Sequence, residues 1–339
     1  MIITLFAFTP AGKELRERLS KLLKEKGHQI LPEEAGELPL AERTARAFLR
    51  GNALVFIGAA GIAVRAVGPL LRSKAEDPAV VVIDEKGTWT IALLSGHLGG
   101  ANALTMEIAE SLGSRPVITT ATDINGVFAV DLWAGANGLV IGSMKKAREI
   151  SMRLLRGEEI TLESEYPIAG TVPRGLRVVD STTETAGPEI RVSVYRGREA
   201  DDSLHLIPRC VYLGIGCRKG AALEAIENTV RQALDQHGID IRSVKAAGTI
   251  HIKKNEPALI RFCEQQQWPL SFFTAEELQA AGKGFTASAF VYSKAGVDNV
   301  CERAAYLASQ CGKILFPKFC GAGVTTSAAA AEVSLSFAK

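Results

Sequence analysis

The sequence predicts an α/β fold made of two three-layer α/β domains, with helices on both sheet faces, joined by a small α+β middle domain. Apolar strand-like runs alternate with amphipathic helices through residues 1–137, and the same alternation returns over residues 209–339. Residues 138–208 instead combine one basic helix with short strand-like runs, separated by stretches rich in Gly, Pro, Ser and Thr. Because alternating strands and helices are typical of a parallel sheet covered by helices, these three ranges are the predicted domains.

The N-terminal domain is predicted to begin with a buried strand at 2–8 and a leucine-rich helix that ends near Gly27. The segment Asp84-Glu85-Lys86-Gly87 separates two strand-like runs, 79–84 and 88–94, and predicts a hairpin. The other predicted elements are strand 28–31, helix 38–50, strand 53–57, a helix from about 61, helix 101–112 and strand 116–119.

The C-terminal domain is predicted to begin with a strand at 210–215 and a helix at 221–237, whose apolar residues recur at helical spacing. Its later elements are predicted as strand 249–252, helix 256–266, strand 270–273, helix 275–281, helix 297–310 and strand 313–316. The basic helix of the middle domain is predicted at 144–156.

Composition argues against several classes of protein. The 39 Lys and Arg against 37 Asp and Glu leave a formal charge of +2, too little for a general attraction to nucleic acid or an anionic membrane. The apolar start runs directly into Pro10 and a charged helix, unlike a signal peptide, and no apolar run approaches the roughly 20 residues of a membrane helix. Six cysteines without a CxxC pair argue against structural zinc and favour free thiols. We therefore expect a cytoplasmic protein.

The densest group of polar residues is the segment SGHLGGAN, residues 95–102, between a predicted strand and a predicted helix. Glycines let the backbone approach a ligand, and a helix N-terminus offers amides with a partial positive charge. His97 can exchange a proton near neutral pH. We interpret the segment as an anion-binding turn; the alternative is an ordinary strand-to-helix turn, with Ser95 as a cap and His97 merely solvated.

A second polar group ends the next strand and comprises Thr119, Thr120, Thr122 and Asp123. In open α/β sheets, ligands bind at the carboxyl ends of the strands. The hydroxyls can therefore bind carboxylates, and Asp123 can orient His97 or polarise a water molecule. The alternative is that Thr122 or Asp123 caps a turn.

Two further glycine-containing turns follow predicted strands. The first contains Gly58, Gly61 and Arg65, and the second contains Gly216, Cys217, Arg218 and Lys219. Neither has the spacing of a dinucleotide-binding or P-loop motif, so we interpret both as generic anion sites. Alternatively, Arg65 forms a salt bridge on a helix face. The pKa of Cys217 is expected to be lowered if this thiol lies at a helix N-terminus.

Segments 56–87, 93–102, 116–123 and 213–220 together closely resemble the cobalt-precorrin-5A hydrolase family of cobalamin biosynthesis. Ser288, Val291, the run 296–302 and Phe316-Pro317-Lys318 are similar to the last domain of that family, whereas the tail 319–327 is less typical of it. The resemblance spans nearly the whole chain in the same order.

The resemblance implies a hydrolase that acts on a carbon–carbon bond of a cobalt-bound tetrapyrrole. Water opens a lactone between a ring A acetate and the meso carbon, and the meso carbon leaves with its methyl group as acetaldehyde, giving cobalt-precorrin-5B. It also implies no protein cofactor and no metal site, because cobalt arrives within the substrate. A nearly neutral protein would hold such a polyacid through local amides and side chains.

From the adjacency of the two polar segments we hypothesise that His97 or Asp123 activates water or relays a proton. Residues expected to contact the substrate are Gly58, Gly61, Arg65, Ser95, Gly96, Gly99, Gly100, Asn102, Thr119, Thr120, Thr122, Gly216, Cys217, Arg218, Lys219 and Glu302. Two other classes stay open: a tetrapyrrole carrier without catalysis and a nucleotide-binding transferase. These hypotheses are compatible with a homodimer and with transient contacts with other cobalamin-pathway enzymes. Nucleic acid and membrane are not expected as partners.

Overall fold

The computed structural model describes the whole chain except residues 32–37, 74–75, 98, 121–126, 180–186, 198–201 and 339. The chain divides into two compact units, Met1–Leu132 and Trp133–Lys339. The predicted domain boundaries at 137 and 208 stay predictions, and each unit is described by itself.

The first unit contains a six-stranded sheet with the order β2-β1-β3-β4-β5-β6. Its strands are β1 Ile2–Ala7, β2 Gln29–Leu31, β3 Asn52–Ile57, β4 Ala79–Ile83, β5 Trp89–Leu94 and β6 Arg115–Val117. Strands β4 and β5 pair in the antiparallel direction, which confirms the predicted hairpin, and all other neighbouring strands are parallel.

Helices cover both faces of this sheet, because successive strand residues point to opposite sides. These helices are α1 Pro10–Glu25, α2 Leu40–Ala47, α3 Ala60–Val67 and α4 Ala101–Leu112. They are followed by α5, Val130–Ala136, which crosses the unit boundary. Leu5 is buried with Leu19 of α1 and Ile108 of α4, whereas its neighbour Phe6 is buried with Ala63 of α3 on the other side. The α/β prediction is therefore correct for this unit.

The second unit begins with a five-stranded sheet of order β10-β8-β11-β12-β7 and the helix α6, Met144–Leu155. Its strands are β7 Leu139–Ile141, β8 Ile160–Ser164, β10 Leu176–Val179, β11 Ile190–Val192 and β12 Leu204–Pro208. A separate two-stranded sheet joins β9, Ile168–Ala169, to the last strand of the chain, β18, Leu335–Ser336. The end of the chain therefore packs on the segment that was predicted to be a separate middle domain.

The third large sheet has the order β15-β14-β13-β17-β16. Its strands are β13 Val211–Cys217, β14 Val244–Ile250, β15 Leu270–Phe273, β16 Lys313–Gly321 and β17 Val324–Ala330. The first three are parallel, and β16 and β17 form an antiparallel hairpin that pairs with β13. The prediction stopped β16 at Phe316 and missed β17 altogether.

Helices again cover both faces of this sheet. They are α7 Leu223–Gln236, α8 Pro257–Gln265, α9 Ala275–Ala280, α10 Ala289–Ala295 and α11 Cys301–Ala308. Leu213 of β13 packs with Val230 of α7, whereas a Cβ on the neighbouring Gly214 would lie 1.7 Å from the carbonyl oxygen of Cys301. Glycine therefore lets α11 lie directly on the sheet. The predicted helix 297–310 is shorter in the structure, and α10 was not predicted.

None of the helices in the described ranges is long and apolar enough to cross a membrane.

Candidate functional site

The SGHLGGAN turn connects β5 to α4, and its backbone hydrogen bonds are internal. The amide of Gly100 donates to the carbonyl of His97 at 2.9 Å, that of Ala101 to Ser95 at 3.2 Å, and that of Asn102 to Gly96 at 2.9 Å. These three amides are already paired, so they are not available to a ligand in this conformation. Any anion at the N-terminus of α4 would therefore have to be bound by other groups of the turn, and the predicted substrate contacts of Ser95, Gly96, Gly99, Gly100 and Asn102 stay predictions.

The glycines of this turn are explained by close packing within it. A Cβ on Gly96 would lie 2.5 Å from Asn102 Oδ1, and one on Gly99 would lie 2.5 Å from the Cβ of Ser95. Gly100 has a φ of 84°, a left-handed conformation that glycine adopts without strain. Ser95 also has a positive φ, 55°, at an energetic cost of roughly 1 kcal/mol. Strained backbone of this kind is often associated with functional sites.

The side chain of His97 lies beside the carboxylate of Asp131, which was not predicted to be a site residue. His97 Nδ1 is 3.4 Å from Asp131 Oδ2, and the two side chains are only 12% and 24% exposed. Burial raises the pKa of Asp131, but the hydrogen bond and charge of His97 and the Leu132 amide lower it more, so that its net pKa lies below the usual value. Asp131 is therefore a stable anion that can orient His97.

Asp131 occupies the first turn of α5, where an acidic residue is common and gives no catalytic signal. The residue predicted from the sequence to orient His97 is Asp123 instead. Asp123 and Thr122 lie outside the described residues, so their predicted roles stay predictions.

The two polar segments are in direct contact. Asn102 Nδ2 donates a hydrogen bond of 3.1 Å to Thr120 Oγ1, which confirms the expected adjacency of the SGHLGGAN turn and the segment after β6. Thr119 is exposed beside it. The buried Ser95 Oγ has no hydrogen-bond partner among the residues that the structure describes.

The turn before α3 keeps amides that could face a ligand. Helix α3 has no side-chain cap at its N-terminus, and Arg65 is exposed one turn further on. Gly58 donates its amide to the carbonyl of Ile83 at 2.8 Å. Gly61 is exposed, and a Cβ on it would lie 3.9 Å from Arg65 Nη1, an ordinary van der Waals distance. The predicted ligand contacts of Gly58, Gly61 and Arg65 stay predictions.

The second unit contains a cavity of about 860 Å³ at the end of β13. It is lined by Gly216, Cys217, Arg218 and Lys219 from the predicted turn, and by residues of the 3₁₀ turn His251–Lys253, of α10 and of the β16–β17 hairpin. The cavity is therefore lined by four of the five site residues predicted in this part of the chain, and the fifth, Glu302, does not line it. Part of the turn backbone is paired internally, because the Arg218 amide donates to Gly323 and the Gly220 amide donates to Glu256.

Two expectations for this region need correction. Cys217 is the last residue of β13, not part of a helix N-terminus, and burial raises the pKa of its thiol despite the nearby Lys253. Glu302 is 3% exposed, and its two carboxylate oxygens accept hydrogen bonds from the backbone amides of Thr286 and Lys318. Its predicted contact with substrate is therefore replaced by a structural role.

Comparison with protein families agrees with this arrangement of two α/β units. Residues 42–123 match the family model described as Cobalamin synthesis G N-terminal, and residues 211–329 match Cobalamin synthesis G C-terminus. The first range contains the turns before α3 and α4, and the second contains the cavity. These two matches place the chain in the cobalamin synthesis class of proteins.

Individual relatives narrow the assignment. The cobalt-precorrin-5A hydrolase of Salmonella typhimurium is 36% identical, over 95% of this chain and 96% of the relative. That of Priestia megaterium is 32% identical, over 81% and 78%. A crystal structure from Sulfolobus solfataricus, described as a cobalamin biosynthesis protein G homologue, aligns with 98% of this chain and 97% of that chain at 20% identity and a TM-score of 0.43. The chain belongs to the cobalt-precorrin-5A hydrolase family.

Proposed function

We propose that this protein hydrolyses cobalt-precorrin-5A, opening the ring A lactone and releasing acetaldehyde. Similarity to two cobalt-precorrin-5A hydrolases over most of the chain supports the reaction. The structural observation that supports a catalytic role is the contact of His97 Nδ1 with the carboxylate of Asp131. A partly buried imidazole oriented by a carboxylate is a common general base.

In the proposed reaction, His97 Nδ1–H donates a hydrogen bond to the carboxylate of Asp131. The other ring nitrogen, Nε2, is therefore unprotonated and acts as the base. Nε2 takes a proton from a water molecule as its oxygen attacks the lactone carbonyl. The acyl–oxygen bond then breaks, leaving the ring A acetate as a carboxylate and a hydroxyl on the meso carbon. The hydroxyl then loses its proton and becomes the carbonyl of acetaldehyde. At the same time the bond between the meso carbon and the ring breaks, and the ring carbon that loses this bond receives a proton.

The neighbouring polar side chains have proposed roles in holding the substrate. The Asn102–Thr120 pair lies at the start of α4. The Ser95 hydroxyl is in the same turn and has no hydrogen-bond partner within the described part of the chain. These groups, with Thr119, are proposed to bind a substrate carboxylate or the oxyanion that forms at the lactone carbonyl. Arg65 is proposed to contact a peripheral carboxylate.

The test is to incubate purified protein with the cobalt lactone and to trap the aldehyde with a hydrazine. We expect one acetaldehyde per substrate consumed, and a loss of at least about 100-fold in rate for His97→Ala, the usual contribution of a general base. A protein that binds the substrate and yields no aldehyde would be a carrier, and the proposal would be wrong. Full activity of His97→Ala would remove the role of this residue.

A further inference from the structure

The cavity of the second unit is strongly cationic. Its charged lining residues are Arg218, Lys219, Lys253, Lys294 and Lys318, and the lining residues within the described ranges include no Asp or Glu. Lys253 is paired with Glu256 at 3.1 Å. The other four cations have no ion-pair partner in the part of the chain that the structure describes. Because like charges repel, such a cluster is stabilised by an anionic ligand with several charges.

One wall of the same cavity is apolar and open to solvent. Phe290 of α10 is 73% exposed and Ile252 is 65% exposed, and both line the cavity together with Val291. Exposed apolar surface next to a charged rim commonly marks a binding site. A ligand that fits this cavity therefore combines an apolar face with several anionic groups.

Two of the cations are held in place by backbone contacts. The Arg218 amide donates to the Gly323 carbonyl at 3.1 Å, and a Cβ on Gly323 would lie 2.7 Å from Arg218 Nε, so the guanidinium stem crosses the tip of the β16–β17 hairpin. The Lys318 amide donates to the buried Glu302 carboxylate at 2.8 Å. Glu302 is thereby a positioning residue for Lys318.

We propose that this cavity binds the tetrapyrrole, with Phe290 and Ile252 against a face of the macrocycle and Arg218, Lys219, Lys294 and Lys318 on its carboxylates. The inference rests on the proposed function, which supplies a flat polycarboxylate as the substrate. The volume of about 860 Å³ lies within the range of roughly 300–1,000 Å³ of small-molecule pockets.

The test uses uroporphyrin III, an octacarboxylate, and coproporphyrin III, a tetracarboxylate, in fluorescence titrations of the whole protein. We expect uroporphyrin to bind more tightly, with an affinity that falls as salt is added. The double variant Lys294→Gln/Lys318→Gln should bind it about tenfold more weakly, since each exposed ion pair contributes roughly threefold. Lys254→Gln is the matched control, because Lys254 is an exposed cation beside the cavity and does not line it.

A second pair of variants, one in the apolar wall and one beside it, tests the contribution of the apolar wall. Phe290→Ala should weaken the binding of both porphyrins, whereas Tyr292→Ala should leave it unchanged, because Tyr292 is 59% exposed and does not line the cavity. Thermal unfolding of each variant verifies that it is folded. All five substituted side chains are at least partly exposed, so loss of fold is not expected.

The outcomes separate this inference from the proposed function. Equal porphyrin affinity in cavity variants and controls would overturn the inference, even if the wild-type protein releases acetaldehyde. Cavity-dependent binding without acetaldehyde release would support the inference and contradict the hydrolase proposal. ATP that binds as tightly as uroporphyrin, with the same loss in the variants, would assign the cavity to nucleotides and overturn the inference.

Discussion

The imidazole of His97 contacts the carboxylate of Asp131, with 3.4 Å between Nδ1 and Oδ2 and both side chains mostly buried. Asp131 also accepts a hydrogen bond of 3.0 Å from the amide of Leu132, which fixes the carboxylate at the start of α5. The pair joins a turn after β5 to a helix that follows much later in the chain. This contact determines the effects expected of Asp131→Asn on turnover and on stability.

Asp131→Asn is expected to lower kcat for acetaldehyde release by about 10- to 100-fold with little change in KM. The amide cannot stabilise a positively charged imidazole, and it orients His97 less firmly, which weakens a general base. Steady-state assays at neutral pH measure both constants. Asp202→Asn, at a fully exposed aspartate, is the control and should be unaffected. A change confined to KM would contradict the orienting role.

Asp131 is also expected to contribute to stability in a pH-dependent manner. Because its folded-state pKa is lowered from 3.8, its contribution is present above the unfolded-state pKa and is lost as pH falls through the folded-state pKa. The difference in unfolding free energy between wild type and Asp131→Asn should therefore shrink as pH falls below about 4. Urea unfolding from pH 3 to 6 measures it, and a constant difference would contradict the lowered pKa.

Cys217 is expected to react slowly with iodoacetamide at neutral pH. Burial raises the pKa of its thiol above the usual 9.0, so little thiolate is present. Cys311 and Cys320 are exposed and free and should be alkylated first. Peptide mass mapping over time orders the sites. Early labelling of Cys217, or loss of turnover in Cys217→Ser, would restore the thiolate interpretation.

Gly214→Ala is expected to destabilise the second unit by more than about 2 kcal/mol, as overpacking of a tight contact does. The added Cβ would meet the carbonyl of Cys301 at 1.7 Å, so α11 would have to move away from β13. Gly68→Ala is the matched control, since nothing lies within 4 Å of a Cβ there. Denaturant unfolding compares the two variants, and equal stability would contradict this packing.

The sequence was sufficient to predict the strands and helices whose apolar residues have a clear period. Strand β17 was missed because it ends in three Ala residues, which are depleted in strands, although it begins with Val324 and two Thr, which favour them. It is nevertheless central, since Ala328 and Ala329 are 0% exposed and small residues suit a strand between two others with helices close by.

The candidate site was predictable only in part for a related reason. The sequence pattern was sufficient to identify His97 and its turn as a candidate site. It did not show which backbone amides of the turn donate hydrogen bonds to carbonyls of the same turn. Nor could it bring Asp131 to His97, because that contact depends on where α5 lies after folding. The apolar wall of the cavity was also missed, since Phe290 belongs to a short helix that was not predicted.

Attack of water on the lactone carbonyl with the help of His97 can be followed by single turnover of the cobalt lactone in ¹⁸O-labelled water. The mass of the tetrapyrrole product shows where the oxygen enters. We predict one ¹⁸O in the product carboxylate with wild-type protein and no comparable turnover with His97→Ala. A product formed at the full rate with an unlabelled carboxylate would mean that water attacks the meso carbon instead. That result would contradict attack of water on the lactone carbonyl.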